Sequence, residues 1–71
     1  MKRPILLKFA ARVRAERKKL GLSQEEFADK SGFHRTYIGM IERAEKNITL
    51  ANIEKLSKAL RISIAELLKG L

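Results

Sequence analysis

The 71 residues include no cysteine, so neither a disulfide framework nor a cysteine-based zinc finger can hold this chain together. A reducing cytoplasm is the compartment this suits. No apolar run approaches the roughly 18 residues of a membrane-spanning helix, so no membrane partner is expected. Lys2 and Arg3 are not followed by the long apolar stretch of a signal peptide. Histidine occurs once, at His34, with no serine or acid spaced to make a triad with it and no glycine-rich loop to cradle phosphate. Catalysis, a metal, a cofactor and a small-molecule ligand are therefore all unexpected. Repeats, low-complexity tracts and linkers are missing, and so is the period-two alternation of a half-buried strand. What remains is one all-α domain over residues 1–71. A domain this size buries only roughly 60% of its unfolded surface and is modestly stable without a partner.

Acidic residues are scarce as well. Sixteen Lys and Arg face eight Asp and Glu, for a net charge of +8 and a pI near 10.3. Such a balance points to a polyanionic partner. The excess is uneven: residues 1–20 carry eight bases and one acid, residues 21–48 four and five, and residues 49–71 four and two. A basic amphipathic helix on a membrane surface would need its apolar stripe free. The fold needs that stripe, so nucleic acid is the better partner.

Five helices are legible. Pro4 suits the first turn of helix 1, and Leu6, Phe9, Ala10, Val13, Arg17 and Leu20 form its inward stripe. Lys8, Arg12, Lys18 and Lys19 lie mostly off that stripe, and Gly21 suits a left-handed cap. Ser23 caps helix 2, with Glu26 completing a capping box. Gly32 turns the chain into helix 3, which His34 or Phe33 precedes and which buries Tyr37 or Ile38, then Ile41. Thr49 caps helix 4, whose stripe is Leu50, Ile53, Leu56 and Leu60. Ser63 caps helix 5, with Glu66 as a second capping box. From Ala28 to Ile41 the order is a small residue, Gly four positions on, then Ile six and nine positions later. That is the spacing of a helix-turn-helix, here about residues 23–43 as helices 2 and 3.

This stretch, QEEFADKSGFHRTYIGMIER, resembles the helix-turn-helix of the phage repressor and Cro (XRE) family of transcription regulators. The resemblance runs from about Phe9 to Leu68 and includes RKKLGLSQ, IER and KALRISIAELL. HRTYI followed by IER and KNIT looks most like the controller proteins of restriction–modification systems. It implies a five-helix repressor-like fold that binds double-stranded DNA. Where Ala44 stands the family usually has Gly. Ala in a left-handed cap costs roughly 1 kcal/mol. Helix 3 is therefore expected to run one or two residues longer, with Asn47 taking the turn.

By that resemblance the positions of His34, Arg35, Thr36, Tyr37, Met40 and Arg43 face DNA. The chemistry of several agrees. Arg35 can pair with guanine O6 and N7, and Thr36 can bond a base or touch a thymine methyl. Tyr37 can give its hydroxyl to phosphate. Phosphate contacts are assigned to Ser23, Gln24, Arg43, Lys46 and Asn47, with Gln24 in a helix first turn that favours an anion. Gly39 costs roughly 1 kcal/mol in mid-helix, and its purpose is open: close approach to DNA, or none. Arg17 on an inward stripe needs a partner, and the resemblance supplies Glu42 as a structural ion pair.

One motif reads about four or five base pairs, so a homodimer on an inverted repeat is expected, with half-sites about one helical turn apart. The apolar C-terminal end, about residues 60–71, exceeds what a small core needs. Ile64, Leu67 and Leu71 are the interface candidates. A phage repressor or antitoxin of the same fold is the alternative regulator. A helical protein-interaction module without DNA binding is the alternative from another class, against which Arg35, Thr36, Gln24 and the charge argue.

Overall fold

Pro4 opens α1 (Pro4–Lys19), at the position where a missing N–H is harmless. The structure, a computed structural model, describes residues 3–71; Lys2, counted in the N-terminal charge, lies outside the described residues. Phe9, Ala10, Val13 and Arg17 form the buried face of α1. Leu20, expected on that stripe, is 41% exposed. It is the C-cap, and the chain reverses beside it at Gly21, φ 70°, so the stripe ends at Arg17.

The capping box of α2 (Gln24–Ser31) closes both ways. Ser23 Oγ accepts from the Glu26 N–H at 3.0 Å, and Glu26 Oε1 accepts from the Ser23 N–H at 2.9 Å. Hydrogen bonding of the carboxylate by Ser23, through its backbone N–H first and its side chain second, holds the Glu26 carboxyl below its ordinary 4.5. Gly32, φ 78°, then ends the helix, returning its N–H to the Ala28 carbonyl at 2.9 Å. His34 caps α3 (Arg35–Glu42), its Nδ1 accepting from the Thr36 N–H at 3.1 Å. Ile38 and Ile41 are buried, and Tyr37 only half so.

The exit from α3 corrects the expectation about Ala44. The helix stops at Glu42, and Ala44 itself takes the left-handed conformation, φ 60°. The residue is only 4% exposed, so its methyl is buried. Burying one methyl contributes about 0.8 kcal/mol, which offsets most of the roughly 1 kcal/mol conformational cost. Asn47 is not needed for the turn.

Thr49 Oγ1 accepts from the Asn52 N–H at 3.2 Å and caps α4 (Leu50–Leu60). Leu56 and Leu60 are buried and Ile53 half-buried, but Leu50 is 69% exposed. Helical side chains lean towards the N-terminus, so the first residue overhangs the open end rather than the core. Arg61, φ 61°, ends α4 in a second left-handed cap on a side chain that is not glycine. Ser63 Oγ accepts from the Glu66 N–H at 3.0 Å at the start of α5 (Ile64–Leu68). Only this half of the expected capping box forms. Among the described residues there are five helices and no strand, and none of the helices is long and apolar enough to cross a membrane.

Phe9, Val13, Phe27, Ile38, Ile41, Leu56, Leu60 and Leu67 meet in one core. Two basic side chains of α1 fasten helix ends to it. Arg12 donates to the Glu66 and Lys69 carbonyls, at 2.8 and 2.7 Å, and Arg14 to the Glu42 carbonyl at 2.8 Å. Both meet the negative ends of helices, where last-turn carbonyls lack partners.

Arg17 is the third. Its Nε donates to Glu42 Oε2 at 2.7 Å and its Nη2 to Glu42 Oε1 at 2.9 Å. Its Nη1 donates to the Leu22 carbonyl at 2.8 Å, and Gln24 Nε2 donates to Glu42 Oε1 at 3.1 Å. One carboxylate thus joins α1, α2 and α3. The Glu42 side chain is 2% exposed and the Arg17 side chain 10%.

Two outcomes follow for stability. Glu42→Ala leaves a buried guanidinium without its counter-charge and should cost about 3–5 kcal/mol in urea melting; a loss below about 0.5 kcal/mol would show that the pair contributes nothing. Arg61→Gly removes a left-handed strain with no buried methyl to lose, so it should stabilise by about 0.5–1 kcal/mol. Ala44→Gly, measured alongside, should change stability by clearly less.

Candidate nucleic-acid interface

The starts of α2 and α3 are brought together at one edge of the molecule. Arg17, Ser23, Gln24, Glu25 and Arg35 line a single polar depression there. Within it, the Ser23 hydroxyl is committed to its cap and the Gln24 amide to Glu42. What α2 offers an anion is therefore its first-turn backbone N–H groups. Glu25 lines the same depression, so the local charge is balanced rather than strongly basic.

His34, Arg35 and Thr36 are exposed, and none of the three belongs to the core. The Arg35 side chain is 61% exposed, with Nε 3.8 Å from Glu25 Oε1. A pair this long and this solvated contributes little to stability. It does bias where the guanidinium points.

Tyr37 has two jobs. Its ring centroid lies 4.8 Å from that of Phe33, tilted by 40°. Lys46 Nζ sits 5.8 Å from the Tyr37 centroid, and Lys55 Nζ sits 5.5 Å from the Phe33 centroid. Both distances fall within the range of cation–π attraction. The Tyr37 hydroxyl accepts a hydrogen bond from Asn52 Nδ2 at 2.9 Å. It keeps its own proton to donate elsewhere. Asn52 thus fixes Tyr37, and the sequence reading missed it. A polar residue at the third position of a helix looks like a cap partner, and only the packing of α4 beside α3 shows the second bond.

Met40 is half-buried, while Arg43, Lys46 and Asn47 are exposed around the turn that follows α3. Arg43 Nε lies 3.1 Å from Glu45 Oε1. The predicted base and phosphate contacts therefore occupy the α3 face, its two ends and the entrance to α2. Arg12, which lies off the inward stripe of α1, and Arg14 are not part of this face and instead serve the fold.

The C-terminal candidates separate. Ile64 and Leu71 are half-buried, but Leu67 is 0% exposed and cannot meet a partner. A five-residue helix has one inner face, and Leu67 is the side chain that docks it into the core. Accessible apolar surface lies nearby. Ile5, Leu6, Phe9, Ile48, Ile53, Leu68 and Leu71 line a groove of about 350 Å³, together with Asn47. Ile5 and Leu7 are 55% and 50% exposed.

Comparison with known proteins agrees with this architecture. A helix-turn-helix family model, HTH_3, matches residues 13–67. The chain is 51% identical over 59 residues to the control protein C.SmaI of Serratia marcescens, covering 83% of this chain and 70% of that one. It is 48% identical over 65 residues to the control protein C.BamHI of Bacillus amyloliquefaciens, covering 90% and 80%. The crystal structure of the restriction–modification controller protein C.AhdI from Aeromonas hydrophila superposes with a TM-score of 0.85 at 48% identity, over 87% of this chain and 94% of that one. The chain therefore belongs to the HTH_3 (XRE) helix-turn-helix family of DNA-binding transcription regulators.

Proposed function

We propose that this regulator is a restriction–modification controller that binds an inverted-repeat operator as a homodimer. The observation that carries the reading is the exposed pair Arg35 and Thr36, held at the start of α3 by a helix pair that Glu42 locks to α1. The similarity to control proteins supplies the regulatory setting. Arg35 reads a guanine edge through its guanidinium, and Thr36 reads an adjacent base or thymine methyl. The first-turn backbone N–H groups of α2 grip phosphate on one flank of the groove, and Lys46, Asn47 and the Tyr37 hydroxyl on the other.

A second copy covers the apolar groove beside α1 and α5. Ile5 and Leu71, which line the groove, and Ile64 at the start of α5 contribute to that contact, with the two half-sites about one turn of DNA apart. This replaces the role first expected of Leu67. Ile5→Glu and Ile64→Glu should each give a helical monomer, because neither residue is in the core. Sedimentation of the wild type and both variants decides it: a wild type that stays monomeric at high concentration removes the dimer from the model of action.

Reading and gripping should separate in binding experiments. Arg35→Ala should cost about 1–3 kcal/mol on the preferred site and relax one base pair in each half-site. Lys46→Ala should weaken all sequences alike and flatten the slope of log affinity against log salt by about one unit per protomer. Gln24→Ala removes the bond to Glu42 that orients the start of α2 and changes no charge, so it should weaken binding without altering that slope. Randomised half-site libraries titrated at several salt concentrations measure all three. The site selected should lie upstream of the protein's own gene, beside genes for a methyltransferase and an endonuclease. The assignment fails if Arg35→Ala leaves base preference intact while Lys46→Ala changes it.

A further inference from the structure

Gly39 interrupts the middle of α3, where alanine would favour the helix more. It is buried although it has no side chain to bury. What covers it is Arg43. A Cβ placed on Gly39 would lie 3.0 Å from Arg43 Nη1 and 3.8 Å from both Cζ and Nη2. The guanidinium therefore rests against the bare backbone of α3, one turn back from its own Cα. Long helical side chains lean in this direction, towards the N-terminus and the residue four positions earlier.

The chain after α3 holds it there. Ala44, at φ 60°, reverses the backbone, and the Glu45 N–H returns to the Met40 carbonyl at 2.9 Å. The reversal sets Glu45 Oε1 3.1 Å from Arg43 Nε. Arg35, Gly39 and Arg43 follow one another at four-residue spacing, so they share a line along α3. The Arg43 head is thus carried from the end of the helix, where it would meet phosphate, towards mid-helix on the Arg35 line.

We propose that Gly39 is a positioning residue for sequence recognition. Its missing side chain seats the Arg43 guanidinium over the centre of α3, and Glu45 fixes its angle. From there Arg43 reads the edge of a base, with guanine O6 and N7 the fitting acceptors. This replaces the phosphate contact expected of Arg43. It rests on α3 being the helix that reads DNA.

The seat makes stability and recognition move in opposite directions. Gly39→Ala should raise the melting temperature by roughly 4–8 °C, since alanine is favoured in mid-helix. The same variant should bind the preferred site about tenfold more weakly and lose preference at one base pair per half-site, the pair that Arg43→Ala also relaxes. Affinity for non-specific DNA should stay unchanged in Gly39→Ala. In an Arg43→Ala background, Gly39→Ala should cost no further affinity. Arg43→Lys keeps the charge but loses the paired hydrogen bonds, so it should relax that same base pair. Half-site libraries bound by the full chain and each variant give all of these readings. Gly39→Ala with unchanged base preference overturns the proposal. So does an equal loss from Gly39→Ala with and without Arg43, which would mean that DNA meets the Gly39 backbone itself. A wild type with no base preference at all would instead overturn DNA reading by α3.

Discussion

The buried contact between Arg17 and Glu42 is the constraint on which the recognition surface depends. Both oxygens of one carboxylate are taken by the guanidinium, and one also accepts from Gln24. A bidentate pair is directional, so it sets orientation as well as distance. Glu42 sits at the end of α3, Gln24 at the start of α2 and Arg17 on the inner face of α1. The angle between the two motif helices is therefore tied to the longest helix in the domain. Burying two charges is costly, and apolar residues of the same volume often hold a core equally well. What this pair adds beyond stability is a directional contact that ties the end of α3 to both α1 and the start of α2.

The same economy appears in the other basic residues of α1. A strongly basic N-terminal third suggests a surface laid against phosphate. In the fold, Arg12, Arg14 and Arg17 all turn to carbonyls or a carboxylate of the protein. Net charge still draws the protein to a polyanion. In the proposed mode of binding the geometry of contact comes instead from the short polar segment between Ser23 and Asn47, whose formal charge is close to balanced. Attraction and reading are then carried by different parts of the chain.

Around α3, exposed side chains are held in place by neighbouring residues of the protein. Asn52 anchors the Tyr37 hydroxyl, and Phe33 backs its ring. Gly39 leaves the space in which Arg43 lies, and Ala44 turns the chain so that Glu45 can reach it. Side chains already held near their binding geometry lose less freedom on association.

Helix number, caps and the motif itself were decided locally, and so the sequence alone determined them. Ser23 with Glu26, Thr49, Pro4 and Gly32 act within one turn of their own position, and three- and four-residue spacing names the core face of each helix. That Arg17 needs a partner was legible too, because a charge on an apolar stripe demands one; the family resemblance supplied Glu42, and the fold pairs them. Beyond the turn, the tertiary structure decided. Ala44 took a conformation that its own preference opposes, because burial of its methyl offset the strain. Leu50 and Leu20 left their stripes at helix ends, where no neighbouring element covers them. Leu67 was claimed by the core instead of the surface. Asn52, Arg12 and Arg14 found partners from 15 to 57 residues away. Spacing along one helix carries no information about such distances, because they are set only when the helices pack.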